Sequence, residues 1–405
     1  TQPVHVHFIG IGGISMSGLA EILLKEGFTV SGSDTKESPL TKKLVSEGAH
    51  IIYGQKAENI TRDIGCVVYT AAINRNNPEL IEAVALKIPM LTRAELLGQL
   101  MKNYDTPIAV SGTHGKTTTT SMISHILLAG EMDPTISVGG ILKAIGGNIR
   151  VGNSEIFVTE ACEYTNSFLS FFPKISVILN IDEDHLDFFK DLEDIRNSFH
   201  RFAKLLPKDG TLVINGDIDR LDEITGDLDC KIVTYGTNPS ATYHAANVTH
   251  DELGEASFDL VKNGEFVDRI SLSVSGDHNV SNALAALAVA DLLDVNVSVV
   301  KKGLKEFHGT DRRFEYKGET NGVTIIDDYA HHPTEIAATL TAATHYPHRE
   351  IWCIFQPHTY TRTKALFPEF VEALSHTDHV IMADIYAARE TDTLGVSSKQ
   401  IADEL

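Results

Sequence analysis

The chain has few cysteines, no long apolar run and too few basic residues to balance its acids. The four cysteines, Cys66, Cys162, Cys230 and Cys353, lie far apart with no C-x-x-C pair among them. That excludes a disulfide framework and a thiolate zinc site, and fits a reducing cytoplasm. No apolar run approaches the roughly 20 residues of a membrane-spanning helix. No basic-then-apolar leader opens the chain; it starts at Thr1 without an initiator Met, which reads as a trimmed start. Lys and Arg number 34 against 55 Asp and Glu, a net charge of -21. A field of that sign repels phosphate backbones and anionic lipid, so neither nucleic acid nor a membrane is an expected partner. A phosphorylated ligand would have to be held by local donors. No short repeat is visible. Hydrophobic residues, at 42% of 405, are enough for several cores, and at about 150 residues per domain two or three domains are expected.

Short apolar runs alternate with helical patterns. In the first hundred residues strands are expected at 4–10, 29–33 and 66–70, with helices at 15–25 and 78–86. This rhythm predicts a parallel sheet with helices on its faces. A polar stretch at 102–107 marks a first boundary. Beyond it come a strand at 107–111, a helix at 116–129, and strands at 156–159, 175–179 and 211–214. An alternating stretch over 231–274 reads as antiparallel, and an Ala-rich helix is expected at 281–293. After a second boundary at 309–313 the α/β rhythm returns, with strands at 323–326, 350–355 and 380–384. The last region carries few strands and ends inside a helical pattern at 397–405, so it reads as an incomplete domain.

Five motifs carry chemistry. Ser111-Gly112-Thr113-His114-Gly115-Lys116-Thr117-Thr118 follows an apolar strand and opens a helix. Glycines there let backbone N–H groups approach phosphate oxygens, and the helix start adds positive dipole. Lys116 suits β- and γ-phosphates, and the Thr117 hydroxyl suits Mg²⁺. The usual phosphate loop has Gly where Val110 stands, so this is a shortened variant. Gly10-Ile11-Gly12-Gly13-Ile14-Ser15 resembles a dinucleotide turn with Ser15 at the third glycine, and Asp34 stands where a ribose-binding acid would lie. Alone it fits a nicotinamide enzyme, a diphosphate site, or a tight turn that binds nothing. Glu160-Ala161-Cys162-Glu163 and Asn180-Ile181-Asp182-Glu183-Asp184-His185 close two further strands, where carboxylates are placed to hold Mg²⁺. Asn279 and Asn282 are three apart and share a helix face, although capping of that helix by Asn279 or Ser281 explains them equally well. Asp327-Asp328-Tyr329-Ala330-His331-His332-Pro333 ends a strand expected to be buried. Gln356-Pro357-His358-Thr359-Tyr360-Thr361-Arg362 ends the next. Together they supply a carboxylate clamp in Arg362 and proton acceptors in His331 and His332.

These runs, in this order, resemble the Mur ligase family. The resemblance extends from Gly10 to the last residue, through GIGGISMSGLAE, TRAELL around Arg93, GTHGKTTTTSM, NIDEDHLD, GDHNVSNALAA, DRRFE, DDYAHHPTE, QPHTYTRT and DIYAARE. GIGG-x-x-MSGLAE combined with DDYAHHP favours the alanine-adding branch. The resemblance implies three α/β domains: a Rossmann-like UDP-sugar domain over 1–103, a central P-loop ATPase domain with an added antiparallel part over 104–312, and a Rossmann-like amino-acid domain over 313–405. It implies ATP and Mg²⁺ as cofactors, UDP-N-acetylmuramate and L-alanine as substrates, and ligation through an acyl phosphate in peptidoglycan precursor synthesis.

By position, the resemblance places Gly112, Thr113, His114, Gly115, Lys116, Thr117, Thr118, Asn279, Asn282, Arg313 and Asp327 on ATP. It places Thr117, Glu160 and His185 on the metal. Gly12, Gly13, Ser15, Asp34, Arg93, Tyr329, His331 and Arg362 fall to the sugar nucleotide and L-alanine. Lys116, His185, His331 and Arg313 are the expected catalytic residues. The family commonly has Gly at Ser15, Asp at Cys162 and often Arg at Thr359, which leaves Arg362 as the main clamp. Alternatives are a murein-peptide recycling ligase on the same sugar nucleotide, a non-catalytic nucleotide sensor, and a nicotinamide-dependent oxidoreductase that leaves the phosphate loop unexplained.

Overall fold

The computed structural model describes residues 4–405 apart from 71, 72, 389 and 393. Arg389 of the DIYAARE run therefore lies outside the described residues. Near the N-terminus, five short parallel strands form one sheet in the order His50–Tyr53, Thr29–Asp34, His5–Ile9, Cys66–Tyr69, Met90–Thr92. The middle strand, His5–Ile9, is almost wholly buried, as expected when helices cover both faces. Two helices absent from the pattern reading, Pro39–Ser46 and Arg93–Met101, each begin with a capping box, Ser38 with Thr41 and Thr92 with Glu95.

The central sheet has ten strands. Its middle runs Thr211–Asn215, Ile175–Ile178, Thr106–Ser111, Ile156–Glu160, Thr135–Leu142, all parallel. The stretch expected to be antiparallel divides differently. Lys231–Gly236 joins Thr211–Asn215 in parallel, and Tyr243–His250 joins it in parallel in turn. Only Tyr243–His250, Glu255–Lys262 and Glu265–Ser275 run antiparallel to one another. The Lys116–Ala129 helix packs against His278–Leu292 and Val297–Glu306 and closes the largest apolar core.

Glycine sets how closely the first two sheets approach. A Cβ on Gly18 would lie 2.2 Å from Ile149 Cδ1, and one on Gly98 would lie 1.9 Å from the Ser170 carbonyl oxygen. The third region corrects an expectation. Val323–Asp327 forms a hairpin with Glu315–Thr320, and the parallel pair Trp352–Phe355 and His379–Met382 forms a separate sheet. The strand before Asp327 is not buried, since Val323 is 59% and Ile325 47% exposed. No helix among the described residues is long and apolar enough to cross a membrane.

Candidate active site

Thr106–Ser111 lies between Ile175–Ile178 and Ile156–Glu160, so three parallel strands end side by side and their loops open together. The phosphate loop is pinned from the neighbouring loop. His114 N–H donates to Asn180 Oδ1 at 2.7 Å, Asn180 Nδ2 donates to the His114 carbonyl at 3.1 Å, and Asp182 N–H donates to Thr113 Oγ1 at 2.9 Å. Gly115 takes φ +82°, and a Cβ there would meet Asn282 Oδ1 at 2.6 Å. No side chain caps the helix that follows, so its first N–H groups stay available. The buried His114 Nε2 has no hydrogen-bond partner, although Asp182 Oδ2 lies 3.4 Å away. An uncapped helix start with free N–H groups fits a phosphate.

Lys116 folds back over this loop. Its Nζ donates to the Thr113 carbonyl at 3.0 Å and to both oxygens of Glu163, at 2.9 and 3.2 Å. Burial, the largest single effect, drags the ammonium pKa down, but the neighbouring anionic groups, Glu163 first, and the hydrogen bond to Glu163 together outweigh it and the net shift is upward. His185, held at φ +54°, brings Nε2 to 3.8 Å from the same Glu163. On the loop's other side Thr117 Oγ1 donates to Glu160 at 3.2 Å, and Glu160 also accepts from Gly139 N–H. Burial raises the Glu160 pKa, as for a carboxylate short of a cation. A hydroxyl and a carboxylate are hard oxygen donors and fit Mg²⁺, which takes few protein ligands and completes its shell with water and phosphate. The three expected metal residues do not form one cluster: Thr117 and Glu160 touch, while His185 lies with Glu163. Among the described residues no group of three His, Cys, Asp or Glu is gathered around one point. Burial pushes the Cys162 thiol up to about 11, so at neutral pH it is not an ionised donor.

A cavity of about 450 Å³ opens from the loop towards the third region. It is lined by His114, Gly115, Thr118, Asn279, Asn282, Arg313, Asp328 and Glu335, among others. The asparagines do not cap their helix, which already begins at His278. Asn279 Nδ2 donates to the Ser275 carbonyl and Asn282 Nδ2 to Asn279 Oδ1. Asp327 is not on this wall; it lies 3.8 Å from Arg312 Nε. Asp328 takes its place there and accepts the N–H groups of Phe314 and Ala330.

A second cavity, about 260 Å³, lies beside His185 and is lined by Tyr164, Asp184, His358, Thr359, Arg362 and Glu390, among others. Arg362 does not stand free in it. Its Nη2 is 2.9 Å and its Nε 3.0 Å from Asp184 Oδ1, and its Nη1 is 3.0 Å from His358 Nδ1. Burial pushes Asp184 up, yet the charges of His185 and Arg362 hold it at about 2. The two histidines of DDYAHHP separate in role. His331 Nδ1 lies 2.9 Å from the Tyr329 carbonyl, so the neutral ring carries its proton there and leaves Nε2 as an acceptor. Burial lowers its pKa and favours that neutral form. His332 spends both nitrogens, Nε2 on the Glu183 carbonyl at 3.0 Å and Nδ1 on the Thr334 N–H at 3.3 Å, which removes it as a proton acceptor. Tyr329 is 47% exposed and lies under the Arg312 guanidinium.

The first glycine turn lies apart from these groups, in the N-terminal sheet. Gly13 opens the Ile14–Lys25 helix without a side-chain cap, and Ser15 follows half-buried. Asp34 is committed to the turn itself: Oδ2 accepts the Gly12 N–H at 2.8 Å and Oδ1 the Thr35 N–H at 2.7 Å. Asp34 holds the turn through these two bonds, and each oxygen keeps a further lone pair. Arg93 starts the Arg93–Met101 helix, and its charge reaches Cys162.

The sequence matches three family profiles in chain order: "Mur ligase family, catalytic domain" over residues 5–105, "Mur ligase middle domain" over 110–290 and "Mur ligase, glutamate ligase domain" over 312–405. The chain belongs to the Mur ligase family. A UDP-N-acetylmuramate–L-alanine ligase from Lachnospira eligens is 59% identical over 405 residues, covering 100% of this chain and 88% of the relative. One from Agathobacter rectalis is 60% identical over the same spans. Among solved structures, a UDP-N-acetylmuramate–alanine ligase from Thermotoga maritima superposes with a TM-score of 0.80 at 32% identity, covering 99% of this chain and 87% of that one. A UDP-N-acetylmuramate:L-alanyl-γ-D-glutamyl-meso-diaminopimelate ligase from Neisseria meningitidis gives 0.70 at 28% identity, covering 76% of this chain and all of the other.

In this Mur ligase three groups singled out by no motif role prove central. Glu163 holds Lys116, Asp184 holds Arg362, and Glu335 lies 3.2 Å from His114 Nδ1 and 3.9 Å from Arg313. The first two stand inside the acidic motifs already quoted. Glu335 is the third residue of a helix that follows His332-Pro333, a helix-start spacing that was readable.

Proposed function

We propose that the chain joins L-alanine to the carboxylate of UDP-N-acetylmuramate, with conversion of ATP to ADP and phosphate. The observation that carries this reading is one continuous row: the phosphate loop, Lys116–Glu163–His185, and then Arg362 and His331 of the third region. Nucleotide donors and amine-side groups are thus linked side chain to side chain, Glu163 and Asp184 through His185 to Arg362, and His114 through Glu335 to His331. Near-60% identity to ligases bearing that name over the whole chain supports the same reaction.

A carboxylate is a poor electrophile, so it is first phosphorylated by in-line transfer from ATP. Lys116, released from Glu163, neutralises charge developing on the transferred group. Bound Mg²⁺, held by Thr117 and Glu160, would supply further charge neutralisation. Arg313, on the wall of the larger cavity, faces the nucleotide. Asn282, beside Gly115 of the loop, and Asn279, bonded to it, line the nucleotide's cavity. The amine must be neutral to attack, and His331 Nε2, an acceptor in the neutral ring, takes its proton. Arg362 and Tyr329 orient the amino acid, and contact between the regions excludes water from the acyl phosphate. The uncapped turn at Gly12, Gly13 and Ser15 takes the sugar nucleotide's diphosphate.

The test is ADP release with Mg²⁺-ATP and UDP-N-acetylmuramate, with and without L-alanine. Release that needs both partners, and falls with glycine, supports the reading. Release driven only by a murein peptide transfers the assignment to the recycling ligase. ATP binding without release leaves a nucleotide sensor.

A further inference from the structure

We infer that Glu390, a residue with no assigned part in the reaction, is a positioning residue for the amino-acid clamp, acting through the turn that carries His358 and Arg362. The inference rests on the reading of Arg362 as the clamp. That side chain springs from Tyr360–Ala365, a helix of only six residues. A helix so short does not sustain its own geometry in water. Its N-cap, Thr359, is a β-branched residue at φ +68° and offers the helix no side-chain cap. Both features cost free energy unless the surroundings impose them.

Glu390 imposes them from 30 residues downstream. Its Oε2 accepts the Tyr360 N–H at 2.6 Å and the Thr361 N–H at 3.0 Å, and its Oε1 accepts the Thr361 hydroxyl. It therefore does for this helix what a capping side chain does, with a full negative charge at the positive end of the helix. The strap is closed on its other side by Thr359 N–H donating to the Tyr386 carbonyl at 2.9 Å, and Tyr386 N–H to the Pro357 carbonyl at 2.8 Å. Arg362 is the next residue after Thr361, so any rotation of the first turn moves its guanidinium away from the cavity that Glu390 also borders. A direct role on the substrate ammonium is disfavoured by the same geometry. Its two oxygens already accept three hydrogen bonds from the turn.

The test uses the full chain and four variants, Glu390→Ala, Glu390→Gln, Arg362→Ala and the double variant that combines the last two. Losing a charge-assisted cap should raise KM for L-alanine roughly tenfold in Glu390→Ala, with KM for ATP and UDP-N-acetylmuramate within about twofold. Glu390→Gln keeps a carbonyl acceptor and should fall between, with an unchanged unfolding midpoint. If Glu390 acts through Arg362, adding Glu390→Gln to Arg362→Ala should raise KM for L-alanine by less than about twofold more. An unmoved KM for L-alanine, an equal rise in all three KM values, or full additivity with Arg362→Ala would each overturn the inference. Wild-type release of ADP without dependence on L-alanine would defeat the proposed function instead. Faster amide exchange at Tyr360 and Thr361 in Glu390→Gln reads the cap independently of turnover.

Discussion

Arg362 meets Asp184 across 178 residues of sequence, with two guanidinium nitrogens on one carboxylate oxygen at 2.9 and 3.0 Å. Their side chains are 9% and 6% exposed, so neither charge is tolerable there alone. The contact ties the third region to the loop that carries His185. Any amino acid held by Arg362 must share or replace this bond.

Arg362→Ala should therefore act twice. It removes the clamp, and it strands the buried Asp184, which costs about 3 kcal/mol in such settings. We expect KM for L-alanine to rise more than KM for ATP, and the unfolding temperature to fall. Steady-state kinetics with each substrate varied in turn checks the first outcome. If KM for ATP moves most, the amino-acid pocket lies elsewhere.

Lys116→Ala should abolish ligation while leaving the fold in place. The loop keeps the hydrogen bonds of Asn180 and Thr113 without Lys116, but the buried Glu163 is left unpartnered, so the unfolding temperature should fall while the native fold persists. Loss of a charge donor to a developing oxyanion is worth roughly 10²–10³ in rate. Single-turnover ADP formation, with circular dichroism as the fold control, checks it. Near-normal turnover would sink the phosphate-loop assignment.

The strand-to-helix turns were legible because their chemistry is local. Gly112, Gly115 and Lys116 read as a phosphate site within eight residues, and the parallel sheet followed from the β–α rhythm around them. What was not legible depends on partners distant in sequence. Asp34 stands at a ribose-binding spacing, and that spacing does not disclose its bond to the Gly12 N–H. His331 and His332 look alike in sequence, and only the carbonyls of Tyr329 and Glu183 separate an acceptor from a spent ring. The Val323–Asp327 strand reads as buried because parallel and hairpin strands share one apolar pattern. Asp327 and Asp328 are indistinguishable until the turn decides which one faces the cavity.

Glu160→Ala should raise the Mg²⁺ concentration needed for half-maximal ADP release. Thr117→Val should do so less, because a hydroxyl contributes less to a hard cation than a carboxylate. Glu160 touches Thr117 and Gly139 N–H rather than the apolar core, so unfolding temperature should change little. An unchanged Mg²⁺ titration in Glu160→Ala would reject it as a ligand.

The pH dependence of the contact between regions should centre on Glu335. Burial pushes its pKa up, but the hydrogen bond from His114 and the charges of His331, His114 and Arg313 outweigh burial, and the folded value falls well below the ordinary 4.5. A carboxyl depressed on folding adds stability at pH values above its unfolded pKa. That contribution is lost as pH falls from 4.5 towards the folded value. At neutral pH, Glu335→Gln should lower the unfolding temperature, because Arg313 then loses its counter-ion and the His114 ring and the His331 N–H lose an ionised acceptor. As pH drops below 4.5 wild type loses the same interaction, so the gap between the two proteins should close. Thermal unfolding of both proteins from pH 7 to pH 3 checks it, the difference cancelling other carboxylates that titrate alike. A gap that stays constant over that range would mean that Glu335 contributes packing rather than charge.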